Sequence, residues 1–219
     1  MFPLGHPEIE SIARTVFRAL GDESDRGAVL VAADVLDDQF ADFFRAIAPS
    51  EIPTRLTKSL LSYPGALGTL AAKADIALAV GLIRRPLYDA VTALRKLRND
   101  AAHSRAPFSL DRHADRLTAI LDLGPGVPEF IRDHTEQVQW DDLVQRAREA
   151  SDEVAERDGT PLFETEEEIL RFLRDSDGIL SGTRKRHPRL MLALGVTLMC
   201  ILLIHRKEEH ATAEPFGAA

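Results

Sequence analysis

Apolar residues recur at spacings of three and four along most of the 219-residue chain, and no stretch of useful length alternates as a strand does. Helices are therefore expected throughout. Ile9, Ile12, Val16 and Leu20 mark a first helix, broken by Gly21-Asp22. Ser24 suits the N-cap of the next, with Asp25 in its first turn. That helix carries Val29, Ala32, Leu36, Phe40, Phe43 and Ile47, a face broad enough for the centre of a bundle. Pro49 and Pro53 frame a loop, and a short helix through Leu56, Leu60 and Leu61 runs into the turn Tyr63-Pro64-Gly65. Residues 66–81 read as an alanine-rich helix with Gly81 at its C-cap. Pro86 fits the first turn of the following helix, whose buried face is Leu87, Ala90, Val91, Leu94, Leu97 and Ala101. Pro107 bars its continuation, because Ala106 is pushed out of the helical region.

A helix over residues 109–123 should turn Ala114, Leu117, Ile120 and Leu121 inward. Gly124-Pro125-Gly126-Val127-Pro128 is the clearest break, and a subdomain boundary is expected there. Beyond it the pattern predicts a short helix over 128–133, a long one over 140–158 and a third over 165–174. Thr165 and Glu168 form a capping box for the third. The basic run 184–189 reads as a linker, since Pro188 should end any helix, and an apolar helix over 190–204 follows. Four parts are expected: an N-terminal helical arm (1–22), a core bundle (23–123), a C-terminal helical extension (124–207) and a disordered tail (208–219). The fold class is all-α, a multi-helix bundle.

Composition changes this picture little. Hydrophobic content of 45% and charged content of 28% are ordinary for a globular protein. A net charge of −8 argues against general coating of nucleic acid, while leaving room for a local basic cleft. The single cysteine, Cys200, can form no intramolecular disulfide, and the N-terminus shows no charged n-region or h-region. A cytoplasmic location is the expectation. Residues 190–204 are fifteen without a charge, against roughly 20 needed to span a bilayer. A buried core helix is the reading preferred over a tail anchor.

The candidate chemistry sits where the helix opened by Pro86 ends. Arg95, Asn99 and His103 are four apart and form one ridge, with Arg98 beside it. Residues 84–105 carry six Lys or Arg against two Asp, a basic helix in an acidic protein. Metal-independent RNA cleavage needs a proton donor, a proton acceptor and a cation for the phosphorane. His103 can supply proton transfer, as a histidine ring takes up and gives up a proton within the physiological range, and the Arg98 guanidinium can fork a phosphate. Asn99, one turn before His103, can orient the ring or the phosphate. Two other readings stand beside this one. Arg98 can pair internally with Asp25 or Asp75 while Asn99 and His103 close the helix end, or the ridge can be a non-catalytic binding surface.

Asp25 and Arg26 read first as a helix start with ion pairs across the bundle, and second as groups supporting Arg98. Lys73 reads as a snorkelling surface residue or a partner for Glu23. His113, His134 and Cys200 have no ligand-like spacing, so neither a metal nor a cofactor is expected. No phosphate-binding glycine loop and no helix-turn-helix with a basic recognition helix is visible, so direct DNA reading is not expected.

The arrangement Arg98-Asn99-x-x-x-His103 resembles the arginine–x4–histidine signature of the HEPN superfamily. Taken with Glu23-Ser24-Asp25-Arg26-Gly27 and the segment from Ala72-Lys73 to Leu82-Ile83, it resembles the mannitol operon repressor family over residues 20–105. The resemblance implies an all-helical fold, regulation of transcription through a protein partner such as a transcription factor or sugar-transport component, and a homodimer. In HEPN proteins two protomers pair around this helix. The alternative function it implies is therefore a metal-independent endoribonuclease, with Arg98, Asn99 and His103 from two copies lining one RNA cleft. Asp25, Arg26, Lys73 and Arg95 would then bind or support it.

Overall fold

A computed structural model describes residues 6–21 and 23–212, apart from the side chain of Leu180. Among these residues there are nine α-helices, one 3-10 turn and no strand. The helices are α1 (Pro7–Gly21), α2 (Asp25–Ile47), α3 (Thr54–Leu61), α4 (Leu70–Ala79), α5 (Arg85–His103), α6 (Ala114–Leu121), α7 (Val127–Asp158), α8 (Glu166–Asp175) and α9 (Asp177–Thr212). The 3-10 turn, Leu110–His113, leads into α6. The all-α class is as the periodicity predicts.

The centre of the bundle is α2. It begins at Ser24, whose hydroxyl accepts from the Gly27 N–H at 3.1 Å, and it buries Val29, Ala32, Leu36, Phe40 and Phe43. Against it pack α1, α4, α5 and α9. The buried face of α5 is the expected one: Leu87, Ala90, Val91, Leu94, Leu97 and Ala101. Fully burying each leucine or valine of that face contributes about 1.5–3 kcal/mol, which fixes the rotation of α5 and so decides which residues it turns outward. In the element read as 109–123, Leu117, Ile120 and Leu121 are inward, but Ala114 is exposed.

Besides α6, which is shorter than 109–123 and preceded by the 3-10 turn, four boundaries differ from expectation. The alanine-rich helix starts at Leu70, later than residue 66, because the Thr69 hydroxyl caps it by accepting from the Ala72 N–H at 3.2 Å. The preceding turn is tight. A Cβ on Gly68 would lie 2.8 Å from the Tyr63 Cα, so only glycine fits there. The segments 128–133 and 140–158 are one helix, α7, of 32 residues. The polar stretch 134–139 between them is helical as well, and Thr135 and Gln139 are buried within the helix. The Thr135 hydroxyl donates to the Ile131 carbonyl at 2.6 Å, and the Gln139 amide donates to the Thr183 carbonyl of α9 at 3.1 Å. Polarity there signals hydrogen bonding inside the fold, not solvent.

The third and fourth corrections concern α9. Residues 184–189 are not a linker; they lie inside a helix of 36 residues with Pro188 in its interior. Proline removes one helical donor, but the Pro188 ring is buried and the flanking turns are held from outside. His187 Nδ1 lies 3.0 Å from Gln139 Oε1, and Arg189 Nε lies 3.4 Å from Asp25. The tail expected to be disordered from residue 208 is helical to Thr212; residues 213–219 lie outside the described part.

Leu192, Ala193, Val196, Met199, Cys200 and Leu203 are buried in the same cluster as α1, α2, α5 and α6. Ile201 and Ile204 close on Ile9 of α1. Among the described residues α9 is the one helix long and apolar enough, by length and composition, to cross a membrane, and 61% of its apolar window is buried inside the protein. That burial is what a core helix requires.

Candidate functional site

With the apolar face of α5 pinned inward, its polar residues have no choice of side. Arg98, Asn99 and His103 are exposed and Arg95 is half-buried. None of the four side chains has a hydrogen bond or ion pair to another described residue. The internal pairing considered for Arg98 does not occur. Asp75 instead accepts from the Tyr88 hydroxyl at 3.0 Å, and Asp25 is engaged by α9 and by the backbone after α5.

The acids nearest the ridge are also taken. Arg85 pairs with Asp89 at 2.8 Å, a hydrogen bond that raises the arginine above its ordinary value. Asp100 pairs with Arg116 of α6. Arg84, Arg95, Lys96, Arg98 and Arg105 are left without a carboxylate partner among the described residues. The basic excess over 84–105 is thus turned to solvent and uncommitted. Salt bridges at such a surface are weak, and the cations there cost the fold little.

The segment after α5 is held by the first turn of α2. The Ser104 N–H closes the helix by donating to the Asp100 carbonyl at 2.9 Å. Arg26 then donates to the Ser104 carbonyl at 3.0 Å and the Ala106 carbonyl at 2.9 Å. Asp25 accepts from the Leu110 N–H at 2.9 Å. Phe108 stacks on His113 with centroids 4.8 Å apart. Two adjacent residues therefore fix both ends of the loop that begins one residue beyond His103. Asp25 makes the expected ion pair across the bundle, with Arg189. Arg26 does not; it satisfies carbonyls left open at a helix end, the work a C-cap usually does.

Lys73 is neither at the surface nor near Glu23. It is 1% exposed and its ammonium donates to Asp37 of α2 at 2.6 Å. An ammonium that deep needs a counter-charge, and Asp37 supplies it from the helix α4 packs on. Lys73 is a structural cation and is not brought to the ridge. Sequence reasoning missed Asp37, Arg116 and Arg189 as partners. The first two were findable only as unmatched charges on neighbouring helices. Arg189 was hidden by the linker reading of its segment.

Chemically, one protomer offers a guanidinium, a carboxamide and a single imidazole on the outer side of one helix end. That set can bind an anion and move one proton. Acid and base acting together would need a second imidazole from a second copy. No group of three His, Cys, Asp or Glu side chains among the described residues could hold a metal ion.

No protein-family model, curated protein or solved structure matches this chain.

Proposed function

We propose that the protein is a regulator of transcription that acts through a protein partner, as the resemblance to the mannitol operon repressor family implies, and that the outer ridge of α5 is where the partner docks. One observation carries this reading. Helix α5, basic within an acidic chain, presents Arg95, Arg98, Asn99 and His103 outward, their side chains uncommitted to any carboxylate among the described residues. A cationic ridge of that kind favours an acidic face on a partner and speeds encounter with it. The partner class is a transcription factor or a sugar-transport component, the protein works in the cytoplasm, and it does so as a homodimer. Direct reading of DNA finds no support in any basic recognition helix of a helix-turn-helix.

The exposure of His103 also favours a second reading, a metal-independent endoribonuclease in which two copies of Arg98 and His103 face one RNA strand. One experiment separates the two. Tagged wild-type protein and Arg98→Glu are used as baits, and the same preparations are incubated with RNA in EDTA. A transcription or transport protein captured by the wild type and lost by Arg98→Glu, with RNA intact, supports the regulator. RNA cut to cyclic phosphate ends, and spared by His103→Ala, establishes the nuclease in its place. RNA intact and the same proteins captured by both baits would remove the ridge from either function.

A further inference from the structure

Away from α5, the C-terminal end of α1, the middle of α7 and the first turns of α9 line a half-open cavity of about 400 Å³. That lies within the range of small-molecule sites, about 300–1,000 Å³. Its apolar wall is Phe17, Val138, Leu143, Ile179 and Leu190. Its charged lining is Arg146, Arg186 and Arg189 against one carboxylate, Asp142. Arg146 is matched by Asp142 at 2.9 Å; Arg189 lies 3.4 Å from Asp25 and donates through Nη1 to the Glu23 carbonyl, while its buried Nε lacks a hydrogen bond. Arg186 has no carboxylate partner among the described residues. The lining therefore carries a net positive charge beside a greasy wall.

Two glycines make the space. Gly178 and Gly182 are one turn apart on α9 and both line the cavity, and a Cβ on either would meet nothing within 4 Å. Gly178 is in the first turn of α9, but Gly182 lies inside the helix, where glycine is destabilising relative to alanine, so bare backbone there is not explained by the helix itself. It is explained if side chains there would fill a site. The same turns supply Thr183, whose carbonyl is bound by Gln139, so the wall opposite α7 is held in place.

We infer that this cavity binds a small organic anion with an apolar body, the anionic group meeting Arg186 and Arg189 and the body lying against Phe17, Leu143 and Ile179. The site shares no residue with the α5 ridge and stands whether or not the ridge binds a partner.

The probe is 8-anilinonaphthalene-1-sulfonate, which joins an aromatic body to a sulfonate. N-phenyl-1-naphthylamine, the same body without the anion, is the control. The full chain should bind the sulfonate saturably at one site per chain, read by fluorescence titration, and bind the neutral analogue at least about tenfold more weakly, the size of one charge-assisted contact. Gly182→Leu should fill the cavity and abolish binding while the melting temperature holds or rises. Arg186→Gln changes an exposed side chain without touching the core, and should weaken the sulfonate about tenfold and leave the neutral probe unchanged. The inference is overturned if the wild type shows no saturable binding, or if both probes bind alike. It is also overturned if a folded Gly182→Leu binds as the wild type does. Should that variant fail to fold, an unchanged affinity in Arg186→Gln overturns it alone.

Discussion

Lys73 shows how much one side chain can carry. Its ammonium is enclosed, while Asp37, its partner, keeps 34% exposure and can rehydrate if left alone. Removing the lysine should therefore cost mainly packing. Lys73→Ala is expected to lose about 2–4 kcal/mol through the cavity it leaves, whereas Lys73→Met, close in volume and free of charge, should stay within about 1 kcal/mol of the parent. Urea titration of the two variants measures the difference, and equal losses would mean that the charge and not the volume holds the site. Lys73 was not legible in the sequence, because a lone lysine in an alanine-rich helix is surface by default and its partner lies 36 residues upstream. Cys200 was legible: an unpartnered cysteine in an apolar run is buried, and here it is fully enclosed. Desolvation pushes its thiol up from 9.0 to about 12. A group whose folded value is raised stabilises the fold fully below its unfolded value and loses that contribution as pH climbs toward the folded one. Native protein should resist iodoacetamide at pH 8 and react once unfolded. Its melting temperature should also fall more steeply between pH 9 and 11 than that of Cys200→Ala.

Among the helices, α5 was the best predicted, since six apolar positions at helical spacing, a proline at its start and another beyond its end all point the same way. Its outward ridge followed from that face, which is why the exposure of Arg98 and His103 could be foreseen as a possibility and their freedom from partners could not. Partners come from helices distant in sequence, and periodicity says nothing of which ones. The errors in α7 and α9 have a common cause. Pro188 breaks the local rules of a helix, and Gln139 and His187 turn polar groups inward; contacts between the two helices accommodate them. Such accommodation is a tertiary property and leaves no mark in a window of ten residues. Gly195 is a case in point: it sits inside α9 because a Cβ there would run into the Leu121 side chain of α6. Gly195→Val should push the two helices apart and cost roughly 1–3 kcal/mol by overpacking, despite valine's better helix propensity. A denaturation midpoint at or above that of the parent would show that Leu121 simply moves aside.

Across the whole molecule the chain closes on itself. The last turns of α9 pair with the start of α1: Lys207 contacts Glu8 at 2.5 Å, and His6 contacts Glu208 at 2.7 Å. The helix that is long and apolar enough to cross a membrane is therefore the one that packs against the first described helix. Inserting it in a bilayer would strip α1 and α2 of their main neighbour. At the opposite extreme of order, the bend between α7 and α8 is solvent-facing, with Gly159, Thr160, Pro161 and Leu162 all exposed. The first and last turns of the described part are thus neighbours, and that bend is a place where the chain can be opened instead. A chain cut at Thr160, with a glycine–serine link joining Thr212 to His6 in place of residues 213–219 and 1–5, should show the parent's circular dichroism and a single cooperative melt. Gene order along this fold is a matter of history; the architecture needs a continuous path and is indifferent to where that path starts.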